Sequence, residues 1–257
     1  VLVTISKETT RIVKPLKEDG YPDYIAALNQ QFGRGITAEN NIAVTVWEVV
    51  GSKDLSADIK SMYFQHLGMD PLPTDGNYYR SFHQQIETLM TLLEKDPDIN
   101  RQEIQTRRET FDDQYDFCTS NPWTKDESSE MDLWLTAAEP FLNRIIQSAE
   151  QRDHYYNPYI VSAADRAQPS PELISILLPG ALHTREIVRG LALLANRRIA
   201  EGRIDEAIRV SRVIHRIGRL SSVGGTLIEG LVGIAIDGIG FELDNRLITT
   251  PSISKAS

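Results

Sequence analysis

From position 179 to 247 apolar residues recur at every third or fourth place, and the run is broken at Gly202 and again at Gly224-Gly225. A 3.6-residue period is the signature of amphipathic helices, and glycine turns this short force consecutive helices to lie antiparallel. The spacing predicts a helix over 179–201 carrying Ile187, Val188, Leu191, Leu194, Ala195 and Arg198 on one face. A partner starts at Asp205 with Ile208, Val210, Ile214, Ile217 and Leu220, and a third helix spans 226–247. Three helices packed side by side commit this part of the chain to an all-α layer.

The rest reads the same way. Helices are expected over 22–32, ending at Gly33, and from Thr37 as N-cap to Gly51, with Ile42, Val46, Trp47 and Val50 inward. A third starts at Ser56 with Ile59, Tyr63 and Leu67; others cover 79–94 and 100–118. Thr124 and Glu127 have capping-box spacing, which predicts a helix through Trp134 to Ala138; Pro140 should kink it or begin a new one reaching Arg152. Ser170-Pro171 places an N-cap before an N1 proline, predicting a short apolar helix over 173–178. Period-two alternation is confined to 1–5 and 10–13. The expected architecture is an extended segment over 1–16 followed by one all-α domain over 17–257, an antiparallel helical bundle or short α-solenoid. The proline-bearing stretch 157–171 is the best candidate for a subdomain boundary.

Composition sets limits on function. The formal charge of −9 argues against general affinity for nucleic acid or anionic lipid. The single cysteine, Cys118, cannot form an intramolecular disulfide and reads as a small buried hydrophobe in an aromatic stretch. Phosphate-binding, dinucleotide-binding, nucleophile-elbow and HExxH motifs are all missing from the sequence. Three helical pairs, His83 with Glu87, Glu150 with His154 and His183 with Glu186, each face one way, yet the ligand pattern of helical di-iron bundles is lacking. No metal or cofactor is therefore expected. Tyr155, Tyr156 and Tyr159, around Asn157-Pro158, are expected to pin a loop to the bundle with their hydroxyls in water.

Charge segregation is the most informative pattern. Between Arg185 and Arg219 there are nine arginines and four acids, whereas 109–132 carries eight acids and one lysine. Arg209, Arg212, Arg216 and Arg219 recur at spacings of three, four and three, which aligns them along one helix face. They are the candidate partner- or anion-binding residues, because guanidinium forks bind carboxylates or phosphates. The competing expectation is that the acidic segment, or Glu229 and Asp237, neutralises them internally. Those two acids, at i and i+8 on a glycine-rich apolar helix, are also the candidates for a paired-carboxylate hydrolase. Nucleic-acid binding through the stripe is disfavoured by the total charge and by the lack of interleaved aromatics.

Two resemblances add to this. The stretch 194–207, LANRRIAEGRIDEA, resembles the turn of a tetratricopeptide repeat, with Ala195, Gly202 and Ala207 at the small positions; Arg198 and Ser211 stand where large aromatics belong, and no second copy follows at a 34-residue period. Over 19–48, 121–156 and 201–240 the chain resembles an uncharacterised family abundant in planctomycete bacteria. That resemblance implies an apolar N-terminal segment upstream of the domain, of which VLV would be the stub, and hence display on a membrane anchor, on the exported side. No activity comes with it. The expectation is a non-enzymatic protein-interaction domain that recognises a protein partner through its C-terminal helical layer.

Overall fold

The computed structural model describes residues 4–161 and 178–250. The fold is all-α: nine helices and no strand among the described residues. They are α1 Tyr24–Phe32, α2 Ile42–Val50, α3 Ala57–Leu67, α4 Phe82–Leu93, α5 Arg101–Ser120, α6 Ser129–Gln151, α7 Pro179–Ala200, α8 Ile204–Ser221 and α9 Leu227–Thr249. The expected helix over 173–178 and the first three residues lie outside the described part. Residues 7–10 form a turn rather than extended chain, in which the Ser6 carbonyl accepts from the Thr10 amide at 2.9 Å, and the 10–13 alternation pairs with no strand among the described residues.

Starts and stops follow local chemistry. Ser81 and Gln84 form a reciprocal capping box on α4, and Asn100 accepts from the Glu103 amide at the start of α5. Two expectations shift. Asn41, not Thr37, caps α2, because Thr37 is held in a preceding turn whose amide donates to Asn40 Oδ1 at 2.8 Å. The Thr124–Glu127 motif closes a turn ahead of α6 rather than starting it: the Thr124 amide donates to Glu127 Oε2 at 2.7 Å, and the helix begins at Ser129. Pro140 does not divide α6. Thr136, whose carbonyl loses its i+4 partner, and Pro140 itself both face solvent, where water supplies the missing bond.

α2 is the axle of the molecule. Seven of its nine residues are buried, and its sequence IAVTVWEVV offers apolar contact all round. Ile42, Ala43, Val46 and Val49 join the main core with α4 to α9, while Val44 and Trp47 join a satellite core with Leu55, Ile59, Tyr63, Phe64, Leu67 and Ile160. Fully burying one such side chain is worth about 1.5–3 kcal/mol, so a helix shared by two cores cannot slide without loss in both.

Residues 154–161 are sewn to α1, α2 and α3 by three asparagines. Asn41 Oδ1 accepts from the Tyr156 amide at 3.0 Å and its Nδ2 donates to the Tyr156 carbonyl at 2.9 Å. Asn29 does the same for Tyr159, at 2.8 Å in both directions. Asn157 Oδ1 accepts from Trp47 Nε1 at 3.3 Å and from the Tyr63 hydroxyl at 3.0 Å. The tyrosine hydroxyls are not in water: Tyr155 bonds Thr184 at 2.7 Å, Tyr156 donates to Asn29 Oδ1 at 2.6 Å and Tyr159 to Glu229 Oε2 at 2.9 Å. The described part of the expected boundary, residues 157–161, is buried rather than a loose linker.

The C-terminal layer has the expected order. Gly202, at φ +73°, makes the α7–α8 turn, and Ala195 and Ala207 are fully buried where the two helices meet. Asn196 Nδ2 donates to the carbonyls of Cys118 and Thr119, both at 2.9 Å, supplying partners to the otherwise open C-terminal end of α5. Cys118 is buried, which pushes its thiol pKa up to about 11 and keeps it a thiol at neutral pH.

Candidate functional site

The arginine stripe on α8 divides in two. Arg209 makes a two-pronged pair with Glu150, at 2.6 Å for both contacts, and Arg216 reaches Asp153 at 2.5 Å and the Arg152 carbonyl at 3.1 Å. Both acids stand at the C-terminal end of α6, some 60 residues upstream. Arg212 and Arg219 are exposed, and among the described residues no carboxylate pairs with either. The order around the helix explains this. Ser211, His215 and Gly218 face α9, Arg209 and Arg216 face the end of α6, and Arg212 and Arg219 fall between those edges. The acidic segment does not neutralise the stripe: seven of its eight acids face solvent, and the eighth, Asp132, pairs with Arg197 of α7 at 2.9 Å.

Glu229 and Asp237 serve two unrelated ends. Glu229 is buried, closes a capping box with Thr226 and accepts from Tyr159. Burial pushes its carboxyl pKa up, against the bonds from Thr226 and Tyr159 that favour the carboxylate. Asp237 lies about 12 Å further along the helix axis, eight residues at 1.5 Å each, and bonds His215 Nδ1 at 2.5 Å. Among the described residues neither acid pairs with an arginine.

His215 is the centre of the α8–α9 contact. Asp237 takes one ring nitrogen and Asp244 the other, at 3.0 Å, while Ser211 bonds Asp244 and Phe241 packs edge-on over the ring at 5.2 Å. Burial works against charging the ring, but the two carboxylates outweigh it and hold the His215 pKa above the usual histidine value. The other histidine pairs hold no common ligand. Glu87 is engaged by Arg108 while the His83 ring packs 4.2 Å from Tyr115, Glu150 belongs to Arg209, and His183 is packed on Trp47 at 5.2 Å, where burial lowers its pKa. No group of three or more metal-ligating side chains assembles among the described residues.

What sequence reasoning missed lies on the outside of α9. The helix carries two stripes of alternating four- and three-residue spacing. Glu229, Gly233, Ile236, Gly240, Leu243 and Leu247 are buried against α7 and α8. On the opposite side Leu227, Leu231, Ile234, Gly238, Phe241, Asn245 and Ile248 are all exposed, the five large apolar ones by 56–79%. A 3.5-residue repeat is the seam of a helix–helix contact, and the spacing could have been read directly from the sequence. Gly230 and Gly238 have open space where a Cβ would stand. Each costs about 1 kcal/mol relative to alanine in a helix interior, and no contact with the described residues accounts for them.

Cations border this seam on both sides. Arg212 and Arg219 lie on the α8 edge. On the α7 edge a cavity of about 140 Å³ gathers Arg185, Arg189 and Arg246 beside Ala235, Ile239 and Glu242. Arg189 pairs with Glu186 at 2.7 Å, Arg246 reaches Glu242 and Asn196 only at 3.4 Å each, and Arg185 is exposed with no ion pair among the described residues. Burial lowers the Arg246 pKa, as expected of a guanidinium short of a close acid. An open cleft of about 1030 Å³ lies elsewhere, between the 74–80 loop, α4 and α6, and is lined by Tyr79, His83, Trp134 and Phe141.

No protein-family model matches the chain, and no curated protein or solved structure is detectably similar to it.

Proposed function

We propose that this chain is a non-enzymatic helical interaction domain that docks a protein partner's helix along the outer face of α9. One observation carries the reading: seven consecutive seam positions from Leu227 to Ile248 all face solvent, five of them large and apolar. Together with Ile228 and Val223 they expose an apolar surface on the order of 800 Å², one side of a standard protein–protein interface. A face that size is well beyond scattered surface leucines. The flanking arginines supply the polar rim and favour a helix bearing acids. The α7–α8 turn, small at Ala195, Gly202 and Ala207, supports a tetratricopeptide-like hairpin as the platform on which α9 is laid. The planctomycete resemblance supports display from a membrane anchor on the N-terminal side, on the exported face. Among the described residues no helix is long and apolar enough to cross a bilayer.

The test is a photo-crosslinker placed at Ile234 of the intact protein in cells, with the same group at exposed Glu109 as control. A discrete adduct is expected from position 234, none from 109, and the adduct should vanish with Leu231→Glu. Position 234 giving no adduct would overturn the reading.

A further inference from the structure

We propose that the occupant of the α9 face is a second copy of this chain, its α9 lying antiparallel to the first so that Phe241 of each copy seats on Gly238 of the other. This rests on the docking reading above and names its partner. In the antiparallel register Leu231 meets Ile248 of the second copy, Ile234 meets Asn245 and Gly238 meets Phe241, each pair occurring twice about the two-fold axis. A closed two-fold dimer needs such a self-complementary patch. The largest exposed side chain of the seam then fills the place above its mid-helix glycine, where a Cβ would have nothing within 4 Å. A parallel register instead stacks Phe241 on Phe241 and leaves the glycines facing each other across a hole.

Charge on one edge of the helix favours the same register. Antiparallel pairing sets Glu242 of one copy opposite Ala235 of the other, at the lip of the cavity that holds Arg185, Arg189 and Arg246. Glu242 is exposed and only loosely held by Arg246, so it is free to serve an arginine across the axis. Parallel pairing would bring Asp237 against Glu242, two like charges. On the other edge Asp237 and Asp244 of both copies come together, but each is already bonded to its own His215, with Arg212 and Arg219 alongside. In this register the contact runs from residue 231 to residue 248 on both copies, about five helical turns at 3.6 residues each. The same acids, and a net charge of −9, count against an anionic membrane as the occupant.

Sedimentation equilibrium of the intact protein over a wide concentration range decides the matter. A dimer mass is expected; Leu231→Glu combined with Ile234→Glu, and separately Gly238→Leu, should give monomers with unchanged far-UV circular dichroism. Glu242→Arg and Arg185→Glu should each weaken the dimer about tenfold or more, the size of one charge pair at an interface. Mixing those two single variants should recover heterodimers, because one of the two contacts then pairs reversed charges. A protein that stays monomeric overturns the second copy as partner. So does a dimer indifferent to every seam variant. If the crosslinker at 234 then captures a different protein, the docking reading stands while this one falls. Binding of the monomer to phosphatidylglycerol vesicles, lost in Leu231→Glu, would replace the second copy with a lipid surface.

Discussion

Replacing Asn157 with alanine should destabilise the domain by about 1–4 kcal/mol, through the two donors it leaves unpartnered. Asn157 Oδ1 is the acceptor for Trp47 Nε1 and for the Tyr63 hydroxyl, and all three side chains are buried. A buried donor left without a partner costs about 1–3 kcal/mol, so two orphans should cost about 2–6. Among the described residues Asn157 Nδ2 makes no hydrogen bond, so removing the amide returns about 1–2 kcal/mol of a penalty already present. Tyr63→Phe alone removes one donor and leaves the acceptor served by Trp47, and should cost about 1 kcal/mol. In the Asn157→Ala background the same Tyr63→Phe change deletes an orphan and should be neutral or stabilising. The double-mutant cycle therefore predicts a coupling of about 1–2 kcal/mol, read by urea unfolding with circular dichroism and tryptophan fluorescence. Purely additive changes, or an Asn157→Ala cost under about 1 kcal/mol, would refute the reasoning that this amide ties the 154–161 segment to α2 and α3.

Gly180→Ala should cost several kcal/mol in a thermal melt, since its Cβ would stand 2.0 Å from Asn157 Oδ1; Gly230→Ala, with open space at that position, should instead stabilise by about 0.5–1 kcal/mol. His215, whose folded pKa is raised by Asp237 and Asp244, contributes stability that is fully present below its unfolded value of about 6.5 and is lost as pH rises through the higher folded value. The stability advantage over His215→Gln should accordingly shrink as pH rises above about 6.5, and a pH-independent difference would contradict it. Arg209→Ala removes an exposed pair and should cost under about 1 kcal/mol in urea unfolding. Arg212→Ala and Arg219→Ala, with no acid to lose, should change stability within about 0.5 kcal/mol.

The chain dictated its own helices. The glycine turns at 202 and 224–225, the helix start after Ser56, and the apolar periods between them are local patterns, and local sterics suffice to read them. The spacing of Arg209, Arg212, Arg216 and Arg219 is equally local, and the structure keeps them on one side of α8. Which of them find acids is not local. Glu150 and Asp153 come from a helix end some 60 residues away, and the acidic run that looked complementary in composition faces water. Glu229 and Asp237 show the same limit: eight residues apart on one helix, one is drawn in by Tyr159 from across the fold and the other by His215 of the neighbouring helix. Helix α9 shows it most plainly. Its sequence carries two seams of equal period on opposite faces, so periodicity cannot say which is core. Packing against α7 and α8 buries the stripe with Gly233 and Gly240, where the backbones approach closely, and leaves the stripe with Leu231, Ile234 and Phe241 in water. Burial depends on what the rest of the chain brings alongside, and that is decided only in three dimensions.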